Sequence, residues 1–355
     1  MTLRRRQPCS GPANVGLFTD YLAFPEDFSP EFLFSLKPRI FILTLLTMIA
    51  FASNSLLCRA ALKETNIDAA TFTLLRIFSG AVALWLIVKA RSWLMVDRSA
   101  SPPVVSSETS AGFPSPQSSP KGRGGSFSLR ENVGMRGAGN WISALALFIY
   151  AAAFSFAYID LSAGTGALLL FGAVQATMIL WGLHKGERLD AIQIVGFFLA
   201  VSGLVVLLFP GLSAPPLIGS ILMLGAGVAW GIYSLRGTAA SDAIPATAGN
   251  FLRAVPFAIL TSLIAIRWTN LDASGLVYAI VSGAITSGLG YVIWYVALPS
   301  LKAMSAATVQ LSVPVLAATG GILFLHEPIT LRYVIASLAV LGGIFLVVFE
   351  KRRLT

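Results

Sequence analysis

The chain has 355 residues, of which 56% are apolar and 12% charged, whereas about 25% of residues are charged in an ordinary soluble domain. Together with a mean hydropathy of +0.78, this excludes a soluble globular fold for most of the chain, and also collagen-like, disordered and disulfide-rich classes. The two cysteines and two histidines form no metal motif, and the GxxxxGK[ST] sequence of nucleotide-hydrolysing proteins is missing. We therefore expect neither a metal nor a cofactor.

Apolar blocks of the length that crosses a bilayer as a helix, about 20 residues, follow one another along the chain. Helices are required because an isolated strand would leave its backbone polar groups unpaired in lipid. We predict ten of them, near residues 40–60, 69–90, 139–159, 162–183, 190–209, 216–235, 247–266, 275–297, 303–325 and 330–349. Residues 1–38 are predicted to be a cytoplasmic extension, and residues 351–355 a basic cytoplasmic tail.

One connection, residues 91–138, is much longer than the others. Within its stretch 100–127, Ser, Pro and Gly supply 17 of 28 residues. Such a composition cannot bury enough apolar surface to fold alone. We predict a disordered, solvated insertion here, with a phosphorylated regulatory loop as the alternative.

The formal charge of +9 is explained by where the basic residues lie. With the N-terminus placed inside, 19 of the 25 Lys and Arg fall on the cytoplasmic side. The positive-inside rule then places both termini in the cytoplasm. The charge therefore indicates a lipid bilayer as the partner, and no nucleic acid.

An internal repeat divides the chain into two halves. Two spacings occur in both halves: 17 residues separate a pair of arginines, and 16 residues separate a glutamate from a glycine. The pairs are Arg59 with Arg76, Arg236 with Arg253, Glu187 with Gly203, and Glu327 with Gly343. Five helices is an odd number, so the second half enters the membrane from the opposite side. The predicted fold class is an all-α integral membrane protein with ten transmembrane helices in two inverted five-helix repeats.

Three segments carry a family resemblance. They are LLLFGAVQATMILWGLHKGERLDAIQIVGFFLAVSGLVVLLFPG, its counterpart QLSVPVLAATGGILFLHEPITLRYVIASLAVLGGIFLVV, and the AWG triplet at Ala229 to Gly231. They resemble the two EamA repeats of the drug/metabolite transporter superfamily, which would occupy residues 39–210 and 211–350. Val174 departs from the pattern, because Pro314 stands at the corresponding place in the second half.

The resemblance implies a secondary transporter in a bacterial inner membrane. Its substrates would be small organic solutes such as amino acids, related metabolites or toxic amphiphiles, with export as the direction. A passive channel or facilitator subunit is the alternative, and an integral membrane enzyme is a more distant one. We expect weak or indirect proton coupling, because the sequence places no carboxylate in the middle of a predicted helix. The oligomeric state is open, with a homodimer as one option.

Polar and aromatic residues inside the predicted helices are candidates for a substrate cavity, because carriers bind at midplane depth where their repeats meet. Aromatic faces can stack on apolar or cationic ligands, although aromatic residues near helix ends also form interfacial belts. The candidates are Asn54, Gln175, Trp230, Tyr233, Asn250, Tyr291, Trp294, Tyr295 and Gln310.

Two arginines, Arg76 and Arg253, lie within predicted helices and require partners. We predict cross-repeat ion pairs of Arg76 with Glu327 and of Arg253 with Glu187, which would latch the outer and inner gates in turn. Two other interpretations are static pairs that hold helices together and an arginine that neutralises an anionic substrate.

Overall fold

The computed structural model describes residues 38–99, 139–186, 188–210, 214–237, 242–301 and 309–350, and within these ranges the chain is helical and contains no strand. The described residues form ten helices. They are α1 (Pro38–Glu64), α2 (Ala69–Ser99), α3 (Trp141–Ala157), α4 (Ala163–His184), α5 (Ala191–Leu208), α6 (Leu217–Gly237), α7 (Ala243–Ile264), α8 (Ala273–Ala297), α9 (Ser312–Leu325) and α10 (Leu331–Glu350).

Seven of these helices are long and apolar enough to cross a membrane: α1, α2, α4, α5, α6, α7 and α8. The other three, α3, α9 and α10, contain shorter apolar stretches. Large apolar side chains are exposed on the outside of the described helices, among them Phe198, Leu260 and Leu338. So much exposed apolar surface is unfavourable in water, whereas it is favourable in contact with lipid. The protein is therefore an all-helical membrane protein.

Polar caps begin several helices close to the predicted boundaries. Asn140 and Ser162 accept hydrogen bonds from the first turns of α3 and α4, and Asp190 forms a capping box with Gln193 at the start of α5. At the start of α8, Asp272 accepts hydrogen bonds, and the one from the backbone N–H of Gly275 has the largest effect. These bonds hold the pKa of Asp272 below its ordinary value of 3.8. These side chains satisfy backbone N–H groups that have no partner within the helix.

The second helix is longer than its predicted span. It continues to Ser99, beyond residue 91 where the insertion was predicted to begin. Cationic side chains at this end reach polar surroundings: Arg91 pairs with Asp242 at 3.0 Å, and Lys89 lies over the ring of Trp85. Such side chains let a helix project beyond the hydrocarbon. Residues 100–138 of the predicted insertion lie outside the described residues, as do residues 1–37 and 351–355.

The helices pack in a limited set of pairs. The contacts of α5 with α10, α2 with α7 and α4 with α9 join the first five helices to the last five. Further contacts join α3 with α6, α4 with α6, α1 with α8, α1 with α9, α2 with α8 and α3 with α7. Small residues allow the close approaches: a Cβ added at Gly196 of α5 would lie 2.6 Å from the carbonyl oxygen of Gly343 in α10.

The eighth helix changes its winding in the middle. Residues Ser282–Leu289 form a π-helical segment between two α-helical parts. This segment lies directly against α2, where a Cβ at Gly283 would overlap the backbone of Arg76 and the side chain of Ser79. Local π segments are frequent at functional sites because they shift side chains out of the regular α-helical register.

Candidate functional site

A small cavity of about 30 Å³ lies at the centre of the helix bundle. Helices α1, α3 and α4 of the first half and helices α6 and α8 of the second half line it. Gln310, which precedes α9, completes the wall. The lining residues are Phe51, Asn54, Ser55, Tyr150, Phe154, Leu170, Phe171, Trp230, Thr286, Ser287, Tyr291 and Gln310. This space holds at most a few water molecules, so a solute requires the helices to separate.

A buried hydrogen-bond network forms one side of this cavity. The hydroxyl oxygen of Tyr150 accepts from Arg76 Nη2 at 3.0 Å and from Asn54 Nδ2 at 3.4 Å. The amide oxygen of Asn54 accepts in turn from the hydroxyls of Ser282 at 2.7 Å and Thr286 at 3.3 Å. The network therefore connects α1, α2, α3 and the π segment of α8.

Arg76 carries a positive charge next to the cavity and is 2% exposed. Its guanidinium carbon lies 4.6 Å from the ring centroid of Phe154 and 5.3 Å from that of Tyr150, which are cation–π distances. Among the described residues its Nη1 atom has no hydrogen-bond partner. The hydroxyl of Ser287, which lines the cavity, also lacks a partner in the described part of the chain.

Aromatic rings form the facing side. The ring of Trp230 stacks on Tyr291 at 5.3 Å between centroids and contacts Tyr150 at 4.7 Å. Phe51 meets Tyr291 edge-on at 5.7 Å. The wall of the cavity thus combines polar groups with aromatic rings, and the positive charge of Arg76 lies against two of its lining residues, which is the composition expected of a site for a small amphipathic solute.

Four of the nine residues predicted for the cavity line it: Asn54, Trp230, Tyr291 and Gln310. The other five do not. The hydroxyl of Tyr233 donates to Thr247, Asn250 accepts from the backbone N–H of Asn140, and Trp294 packs on Phe51. Gln175 is buried in α4, and Tyr295 is half-buried in α8.

The sequence analysis missed Tyr150, Phe154 and Ser287. A signal for the first two was present, since Tyr150 and Phe154 stand four residues apart and therefore share a face of α3. The signal for Ser287 was the crowding of small residues in α8, which by itself indicates close packing.

The predicted ion pair of Arg76 with Glu327 is wrong. Glu327 Oε1 accepts from Arg59 Nε at 3.1 Å, and its Oε2 accepts from the backbone N–H of Ala163 at 2.8 Å. Arg59 stands at the end of α1 at the same level as the loop that holds Glu327. Arg76 lies deeper along α2, where Tyr150 and Phe154 surround it. The predicted topology places both arginines toward the outer face, and their depth in the bundle decides which one reaches the carboxylate.

The Arg59–Glu327 pair belongs to a cluster that joins α1 to two connections, α3–α4 and α9–α10, at one end of the bundle. Arg59 Nη1 donates to the carbonyl oxygens of Tyr158 and Ile159, at 3.0 and 2.7 Å, where α3 ends. Lys63 Nζ donates to the carbonyl of Leu325 at 2.8 Å, where α9 ends. The positive charges at helix C-termini and the negative charge at the N-terminus of α4 both agree with the helix dipoles.

The second predicted pair, Arg253 with Glu187, involves a residue outside the described ranges. Glu187 is not among the described residues. Arg253 is half-buried in α7, and its Nη1 donates to the carbonyl of Gly249 at 3.0 Å.

A second cavity, of about 210 Å³, lies at the end of the bundle that holds Glu327. Its wall includes the carboxylates of Asp160 and Glu327 and the ring of Tyr333. It is larger and more open than the central cavity, but it lies to one side of the arginine network. Within the described ranges no three His, Cys, Asp or Glu side chains come together as metal ligands would.

Comparison with known proteins agrees with this architecture. The profile described as the EamA-like transporter family matches residues 217–349. The uncharacterized protein PA1977 of Pseudomonas aeruginosa is 51% identical over 313 residues, which cover 88% of this chain and 96% of that protein. The threonine/homoserine exporter RhtA of Escherichia coli is 35% identical over 160 residues, 43% of this chain and 53% of RhtA.

A solved crystal structure with 15% sequence identity superposes with a TM-score of 0.54, covering 90% of this chain and 99% of the other. At that identity the similarity concerns the fold alone. The helices, the matched profile and the relatives lead to one assignment: the chain belongs to the EamA-like transporter family of the drug/metabolite transporter superfamily.

Proposed function

We propose that the protein is a secondary carrier that moves small organic solutes across a bacterial inner membrane by alternating access. The central cavity carries this proposal. Its wall contains helices of both halves, so a movement of one half against the other would open the cavity to one side of the membrane or the other. A solute held between Trp230, Tyr291 and Asn54 would then cross without a continuous pore.

The arrangement we propose is two inverted repeats, α1–α5 and α6–α10, with both termini in the cytoplasm. The helix contacts support it. Exchanging the two sets of five turns the contact of α3 with α6 into that of α8 with α1, and the contact of α4 with α6 into that of α9 with α1. The contacts of α2 with α7, α4 with α9 and α5 with α10 are each exchanged with themselves. A pseudo-two-fold axis produces this pattern.

Amino acids with a short polar side chain are the first substrates to test, and export is the direction we propose. The support is the relationship to RhtA, which is named a threonine/homoserine exporter. A contracted cavity with one polar and one aromatic side also suits a solute of that size better than a large amphiphile.

The test is counterflow in proteoliposomes loaded with unlabelled threonine or homoserine and given the labelled compound outside. A carrier gives saturable, transient accumulation, whereas a linear, non-saturating flux would favour a channel. We expect W230A to reduce the counterflow rate at least about 10-fold, because a ring at the cavity wall is lost. W268A, which removes a ring in the α7–α8 connection that is 70% exposed, is the matched control and is expected to transport normally.

A further inference from the structure

Two residues in the wall of the central cavity, Tyr150 and Asn54, use their oxygen acceptors within the protein. The hydroxyl oxygen of Tyr150 accepts two hydrogen bonds, which leaves its own O–H free to donate. The amide oxygen of Asn54 accepts from Ser282 at 2.7 Å, whereas the hydroxyl of Thr286 donates chiefly to the carbonyl of Ser282, also at 2.7 Å. A ligand group that binds to Tyr150 is therefore an acceptor.

Two further donors lack a partner among the described residues. One is Nη1 of Arg76, on a side chain that is 2% exposed, and the other is the hydroxyl of Ser287, which is also 2% exposed and lines the cavity. A buried donor without a partner is costly, and a charged one more so. The hydroxyls of Tyr150 and Ser287 line the cavity, and Arg76, which is not itself a lining residue, contacts the lining residues Tyr150 and Phe154. These donors are therefore available to a group with several acceptor positions that reaches Arg76.

The charge at this side is also uncompensated. None of the 12 lining residues is acidic, and the one carboxylate predicted to neutralise Arg76, that of Glu327, is held by Arg59 and Ala163. Among the described residues, the guanidinium is contacted by aromatic rings and one hydroxyl and by no carboxylate. An anion with two oxygens would satisfy both the charge and the free donors.

We propose that this place is a receptor for the carboxylate of the transported solute, an inference that rests on the proposed carrier function. The carboxylate accepts from Arg76 Nη1 and from the hydroxyls of Tyr150 and Ser287, while the organic part lies against Trp230 and Tyr291. The single unpaired guanidinium matches one negative charge, so a monocarboxylate or a zwitterionic amino acid fits better than a phosphate dianion or an organic cation.

The two halves differ in this respect, so the pseudo-symmetric bundle holds one receptor. Arg253, which takes the place of Arg76 in the second half, is half-buried and donates to the carbonyl of Gly249 within its own helix. The π segment of α8 supplies Ser282, Thr286 and Ser287 on the face toward Arg76, and this set is assembled on one side only.

The experiment measures ligand-induced stabilisation of the purified full-length protein in detergent. The probes are L-threonine, L-homoserine, 3-hydroxybutyrate, L-threonine methyl ester and L-threoninol. The last two lack the carboxylate and keep the ammonium group and side chain of threonine. We expect at least one carboxylate probe to raise the melting temperature, as a ligand of the native state does, and the two analogues without a carboxylate to have no effect at the same concentration.

Variants of the receptor assign the effect to its residues. We expect R76Q to weaken binding of the carboxylate probe about 10- to 100-fold, as the loss of a charge-assisted hydrogen bond does, and S287A about 2- to 10-fold. R267Q, which changes an exposed arginine in the connection after α7, is the matched control and is expected to bind as the unchanged protein does. If R76Q does not fold, Y150F and S287A provide the same test.

The melting temperature without ligand separates a receptor from a structural arginine. A buried charge that waits for a ligand destabilises the protein when no ligand is bound. R76Q is therefore expected to keep or raise that melting temperature. A lower melting temperature in R76Q with unchanged binding of the carboxylate probe would overturn the proposal. Equal stabilisation by threonine and its methyl ester, or by none of the carboxylates, would also overturn it. Saturable counterflow of a solute without a carboxylate would leave the carrier function standing and remove only the receptor.

Discussion

Glu327 binds two groups that are distant in the chain, and both carry positive charge or partial positive charge. Arg59 approaches it from α1, and the N-terminus of α4 presents the backbone N–H of Ala163. The carboxylate is therefore neutralised by a cation and by the positive end of a helix dipole together. The sequence places Arg59, Arg76 and Glu327 toward the same face, but it contains no information on depth within the bundle. For that reason the partner of Glu327 could not be predicted.

We expect E327Q to lower the free energy of unfolding by about 2 kcal/mol, because the cation of Arg59, with 14% of its side chain exposed, would lose its compensating charge. Denaturant unfolding in detergent measures this. The double variant R59Q/E327Q is expected to lose clearly less than the sum of the two single variants, and strict additivity would contradict the pair. The exposed pair of Arg91 and Asp242, with both side chains 44% exposed, is the control, and D242N should cost less than about 1 kcal/mol.

At the scale of elements, the apolar lengths and the polar caps anticipate the helices well. Asn140, Ser162 and Asp190 each stand where an apolar block begins, and each caps a helix. The winding of α8 was not predicted. The sequence predicts one uniform helix over residues 275–297, whereas the structure contains a π segment there. A π segment depends on the surface against which the helix packs, and that surface, α2, is distant in the chain.

The close approach of α8 to α2 predicts that a methyl group is not tolerated at Gly283. A Cβ there would overlap the backbone of Arg76, so we expect G283A to lower the free energy of unfolding by about 1 to 3 kcal/mol, as overpacking does. It should also weaken binding in the central cavity, since it displaces the segment that holds Ser287. Thermal unfolding and the binding assay above measure the two effects.

Gly225 provides the control for that substitution. It stands in α6 with no atom within 4 Å of the position of an added Cβ. We expect G225A to leave the stability unchanged or to raise it slightly, since Ala is the better helix former. Equal destabilisation by both variants would show that helix propensity or lipid contact, rather than the contact with α2, is responsible.

For the whole molecule, the repeat in the sequence predicts two similar halves but not which side chains meet. The 17-residue and 16-residue spacings indicate this similarity, and the helix contacts are those that the proposed exchange of the two halves would give. At the centre, Asn54 and Gln310 were predicted because a buried amide needs a partner. Tyr150 was missed, since aromatic residues occur in membrane helices for several reasons and nothing in the sequence links Tyr150 to Arg76.

The proposed inverted arrangement predicts that both ends of the chain lie in the cytoplasm. We expect a fluorescent protein fused to either end to fluoresce and alkaline phosphatase fused to either end to be inactive, because the phosphatase requires export for its disulfides. A phosphatase fusion in the connection between α1 and α2 is the positive control and should be active. Reporters that place the two ends on different sides would contradict an arrangement of five plus five helices.

The small volume at the centre of the bundle affects how well the membrane that contains this protein retains its proton gradient. A space of about 30 Å³ holds at most a few water molecules, and protons cross a membrane along an unbroken file of waters. A carrier that rests in this conformation would therefore leak few protons through its centre, and the electrochemical gradient would be kept. The same tightness means that each solute passes only as fast as the helices part, so turnover should follow the stiffness of the surrounding lipid.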